Sequence, residues 1–249
     1  MQLEGTTAIV TGGAVRIGRA LALALADRGA NIVLHYGHSE NEAQETAHEI
    51  EKRGVQVLTV QADFGDSEAA ARKVIETAFA ECDYVGILIN SAAIFESATL
   101  AETTNEIWDR HHAINLKTPF FLCKEFAAHF QKSNATNGHI LNIVDWRATH
   151  PQGGTAHLAY TMAKSGLAAL TEALAVELGP AIQVNGIAPG AILPPPGEED
   201  GVFQQRAKHN PLMRVGSPDD IVEAALYLLE SGFVTGEILH INGGEHFTA

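Results

Sequence analysis

Thr7-Ala8-Ile9-Val10-Thr11-Gly12-Gly13-Ala14-Val15-Arg16-Ile17-Gly18 is the stretch that decides the fold of this 249-residue chain. Thr7 to Thr11 is a short apolar run that reads as a strand. The Ala- and Leu-rich segment that follows, ending at Gly29, reads as a helix. A glycine-rich turn between the two lets backbone N–H groups approach a pyrophosphate at the positive end of the helix. Many tight turns need glycine for their own sake. A strand before it and a helix after it, at the start of an alternating chain, turn this one into a phosphate-site signal.

Working outward, Asn31 to Tyr36 reads as the next strand and completes a βαβ unit. An acid at the end of such a strand would accept from a ribose 2′-OH, whereas a basic residue there favours a 2′-phosphate. The sequence there is His35-Tyr36-Gly37-His38-Ser39, with no acid before Glu40. With Arg16 nearby, this favours NADP(H) over NAD(H). Further strands are expected at Val55 to Val60, Val85 to Ile89, Ile140 to Val144, Ala181 to Ile187 and Glu237 to Ile241. Helices are expected at Asn41 to Arg53, Glu68 to Ala80, Glu102 to Gln131, from about Leu158, and at Ile221 to Leu229. Ser217 and Pro218 suit the cap and first position of that last helix. Pro194-Pro195-Pro196 demands a loop, taken to run to about Gly201. The alternation implies one α/β domain over residues 1–249, a doubly wound parallel sheet of about seven strands with helices on both faces.

Ligands of such sheets lie beyond the carboxyl ends of the strands. Gly12 to Gly18, His35 to Ser39, Asp63, Asn90 to Ala93, Asp145 and Pro189-Gly190 all fall at that edge. Tyr160 and Lys164 stand four apart on a helix beside it, hence on one face. An ammonium beside a phenol favours the phenolate, which makes Tyr160 a candidate acid–base group, and Asp145 is a second candidate at the strand end.

The composition bounds what else the chain does. An apolar content of 46 % fits a globular protein, and no apolar run reaches the length of a membrane span. A net charge of −14 opposes binding to nucleic acid. Two cysteines and the absence of a secretory pattern point to the cytoplasm. The twelve histidines show no ligand spacing, so they are read as surface and loop residues and no metal is expected.

Taken together these residues resemble the short-chain dehydrogenase/reductase family over essentially the whole chain. The matching pieces are Thr11-Gly12-x-x-x-Arg16-x-Gly18, Asp63, Asn90-x-Ala92, Asn115, Asn142-x-x-Asp145, Tyr160-x-x-x-Lys164 and Pro189-Gly190. The resemblance implies hydride transfer with a nicotinamide cofactor. Tyr160 would donate the proton, Lys164 would hold the nicotinamide ribose and lower the tyrosine's pKa, and Asn115 would hold a relay water. The cofactor would lie along Gly12, Arg16, Ile17 and Gly18, then His35, Tyr36, His38 and Ser39. It would continue past Ala62, Asp63 and Phe64, past Asn90, Ser91 and Ala92, and end near Pro189, Gly190 and Ile192. A homotetramer is implied in the same way.

Three departures resemble one branch, the pteridine reductases. Arg16 stands where the family usually has glycine, Asp145 where it usually has serine, and His35-Tyr36-x-His38-Ser39 closes the second strand. Thr161-Met162-Ala163 matches that branch too, and Phe95 falls where its pterin-stacking ring sits. The implied substrate contacts are Arg16, Phe95, Asp145 and Tyr160, with a substrate loop at about 191–212. Two other readings remain: a ketoreductase acting on a 3-oxoacyl thioester or similar carbonyl, and a non-catalytic NADPH-binding sensor. Glu198, Glu199 and Asp200 in the expected entrance loop disfavour an acidic carrier protein, and a sensor has no need of Tyr160 and Lys164.

Overall fold

The computed structural model describes residues 2–133, 135–150, 156–195 and 200–248, with only the backbone given at 200, 202, 206 and 209. Seven strands form one parallel sheet: β1 (Thr7–Val10), β2 (Asn31–Tyr36), β3 (Val57–Gln61), β4 (Val85–Asn90), β5 (Gly138–Ile143), β6 (Ile182–Pro189) and β7 (Ile238–Ile241). Their spatial order is β3-β2-β1-β4-β5-β6-β7. The order reverses between β1 and β4, and the crevice at such a switch point is where a ligand fits.

Strands buried on both faces read as continuous apolar runs, and each face feeds its own core. Ala8, Val10, Ile32, Leu34, Ile87 and Ile89 point to one side. There they meet helices α1 (Arg16–Asp27), α2 (Glu40–Glu51) and α9 (Pro218–Glu230) through Leu21, Leu25, Ile50, Ile221 and Leu228. The alternate residues Ile9, Val33, Val60, Leu88, Ile140 and Val184 point to the other side. They pack on α3 (Ser67–Glu81) and α5 (Thr118–Lys132) through Val74, Ile75, Leu122, Phe126 and Phe130. This period-two division fixes strand register, because a slip of one residue would exchange the two cores.

Several boundaries move by one or two residues, and three expectations change in kind. The single helix expected over Glu102 to Gln131 is α4 (Asn105–His112), a π turn at Ala113–Lys117, and α5. Thr104 caps α4 by accepting from the Ile107 N–H. The 191–212 loop is not all irregular, since it contains α8 (Asp200–Gln204) and a 3₁₀ turn at Gln205–His209. Pro196, Glu198 and Glu199 lie outside the described residues, as does the side chain of Asp200. The remaining helices are α6 (Trp146–Thr149) and α7 (Leu158–Leu178), and no described helix is long and apolar enough to cross a membrane. Ser217 starts α9 as expected, its N–H donating to Asp220 Oδ2 at 2.7 Å.

The third correction concerns the histidines. His35, His111 and His139 are fully buried, His35 and His139 on strands of the sheet and His111 as the buried point of α4. Burial opposes the charged form and pulls both His35 and His139 down to about pKa 4. Between pH 6.5 and about 4 the unfolded chain therefore binds protons that the folded chain refuses, so stability falls as pH falls. Each histidine contributes about 3 kcal/mol to that loss. His139 Nε2 has no partner among the described residues. His139→Leu should therefore flatten the acid limb, seen as a smaller drop in the urea midpoint between neutral pH and about pH 4.5.

Candidate active site

The cavity at the switch point has a volume of about 610 Å³, within the range of cofactor and small-molecule sites. It is walled by the glycine turn, the ends of β2 through β6, and the loop after β6. The turn is built for close approach. Gly12 adopts φ +63° with Ala92 beside it, and a Cβ on Gly18 would overlap the Gly12 carbonyl. Arg16 also takes a left-handed φ of 56°, roughly 1 kcal/mol dearer for arginine than for glycine. Its guanidinium crosses to the loop after β6, donating to the Leu193 carbonyl at 3.4 Å. That loop is the expected substrate side of the cavity. The open, glycine-floored turn fits a dinucleotide pyrophosphate.

His35 lines the cavity as part of the floor. Its Nδ1 accepts from the Gly12 N–H at 3.2 Å, so the proton resides on Nε2, which donates to the Ala62 carbonyl at 3.0 Å. The neutral ring stacks on Phe64 at 4.0 Å. Histidine here ties the glycine turn to the end of β3, and it carries no positive charge toward a phosphate. His38, Ala62, Asp63, Ile17, Ser91, Pro189, Gly190 and Ile192 also line the cavity.

Four expected residues do not line it. Tyr36 turns toward the α1/α2 core, and Ser39 stands at the N-cap of α2 without a side-chain capping bond. Asn90 points into the sheet, donating to Asn142 Oδ1 at 2.8 Å. Asn115, in the π turn, uses both ends of its amide on one residue. Its Oδ1 accepts from the Ile94 N–H and its Nδ2 donates to the Ile94 carbonyl, both at 3.0 Å.

The same clamping recurs two residues on. The Glu96 N–H donates to His111 Nε2 at 3.3 Å, and the Glu96 carbonyl accepts from His157 Nδ1 at 3.1 Å. Arg110 pairs with the Glu96 carboxylate. Phe95, between these two fixed residues, lines the cavity.

Tyr160 and Asp145 meet as the helix and strand geometry requires. The Tyr160 hydroxyl donates to Asp145 Oδ2 at 3.1 Å, while Oδ1 accepts from the Arg147 N–H at 2.8 Å and caps α6. Capping and facing the site are thus done by the same carboxylate. Burial raises the Asp145 pKa above the usual carboxylate range, opposed chiefly by Arg147 at 3.8 Å. Lys164 is buried and donates to the Ile143 carbonyl at 2.6 Å, and burial lowers its pKa to about 8.

The expectation that Lys164 lowers the tyrosine's pKa is corrected. Burial and the adjacent carboxylate push Tyr160 well above its ordinary value, and the ammonium lies 5.9 Å from the ring centre, bonded elsewhere. The hydroxyl is held protonated.

Sequence reasoning missed Arg147, Phe203 and Glu245, which also line the cavity. Phe203 gave one usable signal, an aromatic residue inside the expected substrate loop. Glu245 gave none, since it reaches the site only through the turn after β7. No group of three or more His, Cys, Asp or Glu side chains suited to a metal ion occurs among the described residues.

Comparison with known proteins gives the family. A family model described as enoyl-(acyl carrier protein) reductase matches residues 13–246. A Thauera aromatica protein, (2S)-[(R)-hydroxy(phenyl)methyl]succinyl-CoA dehydrogenase subunit BbsD, is 35 % identical over the full length of both chains. Versicolorin reductase 1 of Aspergillus parasiticus is 31 % identical, covering 98 % of this chain and 97 % of its own. FolM alternative dihydrofolate reductase 1 from Brucella canis, crystallised with NADP, superimposes with a TM-score of 0.92 at 29 % identity. That match covers 100 % of this chain and 96 % of that one. The chain belongs to the short-chain dehydrogenase/reductase family.

Proposed function

We propose that this protein is an NADPH-dependent reductase of pterins, taking dihydropterins to tetrahydropterins. The observation that carries the reading is the pairing of Tyr160 with a buried carboxylate, Asp145, beside the ring of Phe95. The cofactor is NADP(H), as in the Brucella canis structure, and it supplies the hydride when bound. Gly12, Gly18, Arg16 and Ser91 would hold it along the glycine turn and the end of β4, with Lys164 at the ribose end.

Reducing a C=N bond places hydride on carbon and leaves nitrogen in need of a proton. Tyr160 is positioned to donate it, because its hydroxyl is kept protonated inside the cavity. Asp145, with its raised pKa, can when protonated return a proton to the Tyr160 oxygen that now donates to its Oδ2. A serine in its place would orient a carbonyl but could not reload the tyrosine. Phe95 offers a flat apolar face to a flat heterocycle, and the name borne by the Brucella canis relative supports a folate or pterin substrate.

The relay works from the protonated carboxyl, so the rate should fall as pH rises through Asp145's raised pKa. Asp145→Asn should lower kcat by about 10²-fold and abolish that limb of the pH profile. Turnover of a dihydropterin measured beside a 3-oxoacyl thioester tests the substrate class. A ketoreductase would use the same Tyr160 and Lys164, but neither Asp145 nor Phe95 gives it an advantage. The oligomer we propose is the homotetramer usual in the family, acting on a small-molecule substrate.

A further inference from the structure

A ring that serves as a stacking platform must itself be held, or binding spends energy on ordering it. Phe95 is held by two neighbouring rings. The imidazole of His157 stacks on it with centroids 4.0 Å apart and planes 19° apart. Tyr160 meets the same ring edge-on at 4.8 Å and 82°. Phe95 and Tyr160 line the cavity, and the imidazole covers one face of the Phe95 ring.

His157 is also tied to the loop that carries Phe95. Its Nδ1–H donates to the Glu96 carbonyl, and its backbone bridges in parallel to Ala98, whose N–H donates to the Ala156 carbonyl at 2.6 Å. His157 immediately precedes α7, three residues before Tyr160. One residue thus couples the aromatic platform to the helix that carries the proton donor.

We propose that His157 is a positioning residue for substrate: it backs Phe95, fixes the plane of that ring relative to Tyr160, and so favours planar heteroaromatic substrates. The proposal rests on the pterin reading of this site. Loss of the imidazole frees Phe95 to leave its plane, which weakens capture of a flat ring. Chemistry on substrate once bound, and the cofactor contacts, stay as they are.

The test compares wild type, His157→Ala and His157→Phe with dihydrobiopterin and NADPH. His157→Ala should raise KM for the pterin about three- to tenfold. Its kcat should stay within about twofold and its NADPH Kd unchanged. His157→Phe keeps a stacking ring without the hydrogen bond, and should restore most of the KM. The inference is overturned if KM is unchanged in a folded His157→Ala, if kcat falls while KM does not, or if His157→Phe is as impaired as His157→Ala. Should His157→Ala not fold, His157→Phe decides alone: near-wild-type KM supports the stack, and a KM raised as far as predicted for the alanine variant refutes it. If wild type itself does not reduce the pterin, the pterin reading fails and this inference with it. Wild-type turnover with unmoved variants sinks only the inference.

Discussion

Tyr160→Phe should bind NADPH as wild type does and lose about 10²- to 10⁴-fold in turnover. The ring remains to pack against Phe95 and above Lys164. What disappears is a single hydroxyl, which burial and the adjacent carboxylate keep protonated and which donates to Asp145. Cofactor titration by fluorescence together with steady-state rates separates binding from chemistry. Unchanged turnover on this substitution would show that Tyr160 is not the proton donor. A lost cofactor site would show that the hydroxyl acts in binding instead.

Gly18→Ala should cost the enzyme its cofactor. A Cβ at that position would overlap the Gly12 carbonyl and lie 2.8 Å from the Gly12 carbonyl carbon. The clash is between backbone and backbone, so no side chain can swing aside. Either the glycine turn moves off the floor formed by His35, or α1 shifts against Leu34 and the core beneath it. Overpacking of this kind costs about 1–3 kcal/mol. At this chain length that lowers Tm by roughly 2–12 °C, and the displaced turn should raise the NADPH Kd by at least about tenfold. Gly54→Ala is the control. Its φ of +80° makes alanine strained, but nothing lies within 4 Å and the site is remote. It should lose a little stability and no NADPH affinity. Equal NADPH affinity in both variants would mean that the turn does not shape the phosphate site.

The fold was readable because a parallel sheet states itself twice, in apolar runs for strands and in period-3.6 helices between them. Each strand expected from the sequence is present, and the residues at their carboxyl ends do gather round one cavity. Helix interruptions were harder. Nothing in Ala113-Ile114-Asn115-Leu116-Lys117 breaks the helical pattern, because a π turn adds one residue per turn without changing composition.

The lining of the cavity was legible where spacing sets geometry, as for Tyr160 and Lys164. It was also legible where a charge is out of place, as for Asp145. It was hidden where tertiary contact decides the role. Tyr36 and Asn90 sit next to the cavity in sequence yet turn elsewhere, Tyr36 to the α1/α2 core and Asn90 to Asn142, while Asn115 spends its amide on the backbone of Ile94. The histidines were misread for a related reason. Imidazole is polar enough to suggest the surface, but His35 and His111 each find two partners in the interior, which makes burial of the neutral ring tolerable.

The measurement that bears most directly on the account is NADPH consumption by the purified protein with dihydrobiopterin, beside an acetoacetyl thioester and a blank without substrate. The account predicts turnover on the pterin and little or none on the thioester. Turnover on the thioester alone would contradict it. Asp145 would then be only the cap of α6, and Phe95 no more than packing beside a carbonyl site.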